Sequence, residues 1–272
     1  MDSIIQSNQY LLIIGAMKCG TSSLFRYLSS HPEICPAYHK EPEYFSSFPG
    51  IDKDSDYQDL WPDFDPSQHK YAMEASTGYT KYPACPDAAE RIKDAGIQPK
   101  LIYLVRDPFD RIVSHFNFMT NPESRESGIV GDYYLDVSRY HMQLGQFRKL
   151  FPKEDLLVLD FAELKSDPNK LMDRVYAFLG LSSTAYPESF EVVNALQMES
   201  KAEYRIRKSK VRGVLRYIPM PIKNFAKRLL RKANPPSKRL LTSEEKSYIG
   251  EQLKADIASF SEEYNFDTSK WM

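Results

Sequence analysis

Four short apolar runs set the rhythm of the chain: Leu11–Ile14, Lys70–Ala75, Leu101–Val105 and Leu156–Phe161. Each is closed by glycine or polar residues and has the length of a buried strand. Between them the spacing lengthens to that of a helix. Leu24, Phe25 and Leu28 recur at helical intervals after the first run, and His31-Pro32-Glu33 ends that helix. Asp87–Ala95 reads as a short helix. Asp107 is a good N-cap and Pro108 a good first helical residue, which predicts a helix from there to about Met119. Asp132–Phe151 reads as one long helix, and Asp167–Leu179 as another closed by Gly180. A last helix, Ser243–Tyr264, opens on a Thr-Ser-Glu-Glu cap. Strands alternating with helices predict an α/β chain with a parallel sheet covered on both faces. The expected fold is three-layered, a central parallel sheet of about five strands flanked by helices, in a single domain over 1–272.

The first strand-to-helix junction carries the first chemistry. Between Gly15 and the helix lies Ala-Met-Lys-Cys-Gly, followed by Thr21, Ser22 and Ser23. A helix start offers unpaired N–H groups and a partial positive charge, which suits a phosphate. The glycines at 15 and 20 match the spacing of G-x-x-x-x-G-K-[ST], but Thr21 stands where that motif has lysine. The only loop lysine is Lys18, which falls beside the terminal group of a bound phosphate chain. Cys19 suggests a Cys-x5-Arg phosphatase loop, yet position 25 is Phe25 and the arginine is Arg26. The loop alone marks an anion site. A second anion site is readable where the Leu101–Val105 strand ends in Arg106, with Ser114 two turns into the next helix. A guanidinium fixed at a strand end and a hydroxyl on the same side make a phosphate clamp. Two such sites suit a ligand with phosphate at both ends.

Charge and composition narrow the compartment more than the partner. With 36 Lys and Arg against 37 Asp and Glu, the net charge of −1 argues neither for nor against a polyanion. No segment approaches the roughly 20 apolar residues of a membrane span. Met1-Asp2-Ser3 lacks the basic and apolar parts of a secretory signal. Three scattered cysteines, Cys19, Cys35 and Cys85, have no metal-ligand spacing and suit a reducing compartment. The expectation is a soluble, cytoplasmic protein without a metal.

With both anion elements in place, the chain resembles the sulfotransferase superfamily that uses 3′-phosphoadenosine 5′-phosphosulfate (PAPS). The match is closest to the heparan-sulfate type and its soluble bacterial relatives. Gly15 to Leu24 is similar to that family's 5′-phosphosulfate loop, and Leu104-Val105-Arg106-Asp107-Pro108 through Arg111 and Ser114 to its 3′-phosphate element. His31-Pro32, Lys40-Glu41, Glu74-Ala75-Ser76 with Tyr79, Phe178-Leu179-Gly180-Leu181 and Trp271 follow in the family's order. The resemblance implies a P-loop-like three-layer fold and in-line transfer of a sulfuryl group to an acceptor hydroxyl or amine, leaving adenosine 3′,5′-bisphosphate (PAP). It implies Glu41 as general base and Lys18 as electrostatic stabiliser. Lys18, Cys19, Gly20, Thr21, Ser22 and Ser23 would hold the 5′ end, and Arg106 and Ser114 the 3′ end. Lys40, Glu41 and Tyr79 would face the acceptor, a saccharide or a small metabolite. The aromatic stretches Tyr44–Phe64 and Met119–Tyr134 would form its pocket. The chemistry agrees, because the acceptor must lose a proton as charge builds on the leaving phosphate oxygen. Two departures stand out. Ala75 occupies a position where heparan-type members often carry lysine, and no cysteine follows Cys85, so their late cysteine-bracketed loop is absent. Tyr204-Arg205-Ile206-Arg207-Lys208 stands in its place, with Arg207 the candidate to complete the 3′-phosphate site. Tyr204 would stack on adenine or be a surface aromatic.

Lys201–Leu240 holds fourteen Lys and Arg residues against one acid, Glu203. Ile222, Phe225, Ala226, Leu229 and Leu230 fall on one helical face within it. Three readings stay open: a basic, partly helical cover over the cofactor, an amphipathic helix on an anionic membrane, or a dock for an acidic glycan. Two other classes stay open for the whole chain, a P-loop kinase or NTPase and a non-catalytic nucleotide-binding module. The first would need the loop lysine just before Thr/Ser and a magnesium-binding acid at a strand end, for which Asp160 is only a weak candidate. No nucleic-acid partner is expected, because the basic residues lack interleaved stacking aromatics.

Overall fold

The computed structural model describes residues 4–50, 55–121, 131–182, 205 and 238–271. Five parallel strands form one sheet in the order β2-β3-β1-β4-β5. They are β1 (Tyr10–Gly15), β2 (Ile34–Pro36), β3 (Tyr71–Ala75), β4 (Lys100–Val105) and β5 (Leu156–Asp160). Every residue of β1 and β3 is buried, and all of β4 after Lys100, as expected of strands covered on both faces. The helices are α1 (Thr21–Leu28), α2 (Ala88–Asp94), α3 (Pro108–Met119), α4 (Asp132–Asp136), α5 (Tyr140–Arg148), α6 (Phe161–Ser166), α7 (Pro168–Leu179) and α8 (Ser243–Tyr264). β1 is central: it pairs with β3 from Tyr10↔Ala72 to Ile13↔Ala75, and with β4 from Leu11↔Lys100 to Gly15↔Tyr103. The chain fills the β3 side of β1 first and then crosses to β4. The carboxyl ends of β1 and β4 therefore flank the point where the winding reverses, the usual place for a ligand in an open α/β sheet.

Three elements differ from the sequence reading, one being α6, which takes Phe161 from the end of the expected strand and runs to Ser166. The edge strand β2 is only three residues, too short to show a period, and its Pro36 is tolerated at a sheet edge. The single helix expected over Asp132–Phe151 is two, α4 and α5, broken at residues 137–139. Arg111, fully buried on α3, causes the break. Its Nη2 donates to the Tyr134 carbonyl at 2.6 Å, the acceptor that a continuous helix would give to the Ser138 N–H. Ser138 is also fully buried, its Oγ accepting from Arg111 Nε at 2.8 Å and donating to Tyr134 O at 2.8 Å. Its N–H turns to Leu135 O instead.

α8 closes the molecule. Thr242 and Glu245 form a reciprocal capping box, and Ile249, Leu253, Ile257 and Phe260 line its buried face. Phe260 lies between Tyr140 of α5 and Trp271, with ring centroids 5.8 Å from each. Among the described residues no helix is long and apolar enough to cross a membrane.

Candidate active site

The loop from β1 to α1 is shaped by two left-handed residues, Lys18 (φ 71°) and Gly20 (φ 94°). Gly20 is the N-cap of α1 and has no side chain to satisfy the first N–H groups of the helix, of which that of Ser23 bonds Gly20 O at 3.0 Å. A Cβ at Gly20 would stand 2.7 Å from the Phe161 ring, so glycine is required by space as well as by φ. Of the three hydroxyl residues that follow, Thr21 and Ser23 are buried and Ser22 is half-buried. Cys19 does not fit the role expected of it. Its N–H donates to Ala16 O, and its thiol is fully buried against the Tyr140 hydroxyl at 3.8 Å. Burial pushes that thiol up to about 11, which removes the thiolate a phosphatase would need. Cys19 braces the loop from within.

Arg106 leaves β4 beside this loop. Its guanidinium lies 5.0 Å over the Phe161 ring and pairs with Asp110 at 2.6 Å, one turn into α3. Its peptide is gripped by Tyr140, whose hydroxyl donates to Arg106 O at 2.7 Å and accepts from Arg106 N at 3.4 Å. One tyrosine hydroxyl therefore touches both anion elements, Cys19 of the loop and Arg106 of the strand end. Nothing near either element in the sequence signals that role. Ser114 is half-buried on α3 as expected. Tyr204 and Arg207 lie outside the described residues, as does most of the basic segment. Its end is described: Arg239 exchanges two 2.9 Å hydrogen bonds with the Asn117 side chain and pairs with Glu245.

The third part of the site comes from the chain after β2. Glu41 N–H donates to Ala75 O at 2.9 Å, laying residues 41–43 along the end of β3. The Glu41 carboxylate contacts Lys40 through Oε1 and accepts from the N–H and Oγ1 of Thr77 through Oε2, both at 3.0 Å. Burial would raise the Glu41 carboxyl. Lys40, the Thr77 N–H and Glu43 outweigh that and hold it below the ordinary range. Lys18 is near enough to feel Glu41, Lys40 and Arg106 together. Burial, then Arg106, pushes its ammonium below the usual lysine value while Glu41 pulls the other way. Its Nζ lies 4.3 Å over Phe118, an exposed ring at the end of α3.

Tyr79 is not placed to meet an acceptor. It is 2% exposed, and its hydroxyl donates to Glu74 Oε1 at 2.6 Å while accepting the Phe45 N–H at 3.4 Å. Glu74, fully buried, also receives Ser76 Oγ at 2.8 Å and Tyr57 Oη at 3.3 Å. Burial pushes its carboxyl up to about 7 against the bonds from Tyr79 and Ser76. The stretch Tyr44–Phe64, expected to line a pocket, is instead core at Phe45, Tyr57 and Trp61, with Tyr57 stacked on Tyr10 and meeting Tyr44, Phe45 and Trp61 at tilted or edge-on angles. Asp160 is used as the N-cap of α6, accepting the Ala162 N–H at 2.8 Å.

An uncapped helix start, a desolvated lysine and a second cation facing it make a site suited to a multiply charged anion. A match to the sulfotransferase domain model covers residues 8–216, most of the chain and all three parts of the site. The chain belongs to the sulfotransferase domain family. Human heparan sulfate glucosamine 3-O-sulfotransferase 3B1 is 29% identical over 185 residues, covering 62% of this chain and 45% of that protein. Mouse bifunctional heparan sulfate N-deacetylase/N-sulfotransferase 4 is 24% identical over 199 residues, covering 63% of this chain and 22% of that protein. The chain thus spans less than half the length of these curated relatives. A solved sulfotransferase from Alicyclobacillus acidocaldarius shares the fold, with a TM-score of 0.68, 22% identity and coverage of 98% of this chain and 99% of that one.

Proposed function

We propose that the chain transfers the sulfuryl group of PAPS to an acceptor hydroxyl or amine, the acceptor being a saccharide or a small metabolite. The observation that carries this reading is that Lys18 after β1, Arg106 after β4 and Glu41 beside the end of β3 come close enough for Arg106 and Glu41 both to act on the Lys18 charge. The α1 N-terminus with Ser22 and Lys18 would hold the 5′ end of the nucleotide, and Arg106 with Ser114 the 3′ end. The donor supplies an activated sulfuryl group whose bridging bond to phosphate breaks as the bond to the acceptor forms. Glu41 takes the acceptor proton. Its lowered basicity keeps it ionised at neutral pH and therefore free to accept. Lys18, partly withdrawn from water, stabilises charge that grows on the leaving phosphate oxygen. Lys40 must loosen from Glu41 as the proton arrives, and it is then free to meet a sulfuryl oxygen.

A kinase or NTPase reading is weakened by Asp160, which is already engaged as a helix cap. Radiolabelled sulfuryl transfer from PAPS into a mixed panel of saccharides, phenols and amines is the direct test. Label in any acceptor, abolished by Glu41→Gln with PAP binding retained, supports the proposal. PAP binding with no transfer to any acceptor would instead identify a non-catalytic nucleotide-binding module.

A further inference from the structure

Beyond helping to lower the Glu41 carboxyl, Glu43 has no part in the roles above, yet its placement is tightly specified. The residue is 6% exposed; Oε1 accepts the Gly78 N–H at 2.9 Å, while Oε2 is buried without a hydrogen-bond partner. An ionised carboxylate with one bare buried oxygen is costly, and a protonated one much less so. The neighbouring donor in the chain, the Thr77 N–H, serves Glu41. Two carboxyl groups on consecutive peptide N–H groups of one turn must lie side by side. The backbone enforces this at both residues. Glu41 and Glu43 take φ of 60° and 53° around Pro42, Glu41 N–H bonds Ala75 O, and Glu43 N–H bonds Ser76 Oγ at 2.9 Å. Gly78 completes the fit, because a Cβ there would stand 1.9 Å from Glu43 Oε2.

Resting on the proposed transfer reaction, we propose that Glu41 and Glu43 form a carboxyl pair carrying one proton, held on Glu43, which positions Glu41 and sets its basicity. The surroundings divide the two roles. Lys40 and both donors of Thr77 serve Glu41, so the anion belongs there. Glu43 has one peptide donor and the Ser46 hydroxyl beside it; burial first, and the Glu41 charge after it, push its carboxyl above the ordinary range against both. The other charged and titratable groups facing the pair are Lys18 of the loop, Lys81 beyond the Thr77–Thr80 turn, Glu74 of β3 and Tyr133 of α4. In turnover the acceptor proton goes to Glu41, Glu43 keeps its own, and the pair resets by releasing one proton to solvent. The working form is singly protonated. It is lost at low pH when Glu41 protonates and at high pH when Glu43 ionises.

The test has two arms on the full chain. In the first, carboxyl-13C-glutamate protein is titrated by NMR, with resonances assigned by loss in Glu41→Gln, Glu43→Gln and Glu74→Gln. The Glu43 resonance is expected to titrate above that of a free glutamate and to fall in Glu41→Gln. A Glu43 resonance that titrates normally, or ignores Glu41→Gln, overturns the proposal. This arm reads no turnover, so the pair stands or falls separately from the transfer reaction. In the second arm, Glu43→Gln keeps an N–H donor toward Glu41. It should lower kcat only about threefold and remove the alkaline limb of the rate profile, while Glu43→Leu should lower kcat about tenfold or more at unchanged KM. An alkaline limb that persists unchanged in Glu43→Gln also overturns it.

Discussion

Single side chains in this site are read best against what surrounds them. Lys18 is held by a positive φ, half-withdrawn from water, and repelled by Arg106. A cation so prepared gains most when negative charge develops next to it. Lys18→Ala should lower kcat on the order of a hundredfold, about 3 kcal/mol, with PAP affinity by calorimetry reduced far less. His115 is the opposite case. It is fully buried on α3, with Nδ1 3.2 Å from Arg111 Nη1 and Nε2 unpartnered. Burial, with Arg111 beside it, holds it near 2 against an ordinary 6.5. The unfolded chain therefore binds the extra proton first as pH falls. Stability contributed by the neutral ring is complete above about pH 6.5 and declines down to about pH 2. Urea midpoints measured across that range should fall less steeply in His115→Gln than in the parent chain. Equal slopes would show that His115 does not hold a neutral state in the fold.

Elements meet at a few hydroxyl groups that no local pattern distinguishes. Tyr140 of α5 joins the β1–α1 loop to the end of β4, and Phe260 and Trp271 hold its ring in place. Tyr140→Phe keeps the packing and removes the grip on the Arg106 peptide. Stability should drop by about 1 kcal/mol in urea unfolding, with weaker PAP binding, because both anion elements lose their common strut. Ser138 acts likewise between α4 and α5. Ser138→Ala leaves the buried Arg111 Nε without its acceptor and should cost about 1–3 kcal/mol by the same measurement. The helix break itself was invisible along the chain: residues 132–151 have a continuous helical pattern, and only a side chain from α3 takes the carbonyl that would have continued it. The capping residues were readable because a cap is local. Asp107, Thr242 and Gly180 each act within one turn of their own helix.

At the scale of the molecule, a parallel sheet with β1 at its centre carries all three parts of the site to one edge. A ligand bridging β1, β4 and the 41–43 segment should stabilise the whole chain. Saturation with PAP to about a hundred times Kd adds about 2.7 kcal/mol, a rise in Tm of several degrees that Arg106→Ala should largely abolish. The α/β class, the glycine-bounded loop after β1 and the strand ending at Arg106 were legible from residue order, because short buried strands, helix caps and glycine spacing depend on near neighbours, whereas Lys40-Glu41 stood out only through the family resemblance. The pairing of Glu43 with Glu41 and the burial of Tyr79 were not. Nor was the inward turn of Cys19, or the use of Tyr44–Phe64 as core. Those were decided when β3, the Thr77–Thr80 turn, α3 and α5 came together, since hydrogen-bond partners and desolvation arise from residues distant along the chain, and a linear pattern carries only the tendency of a residue to be buried and not what it will be buried against.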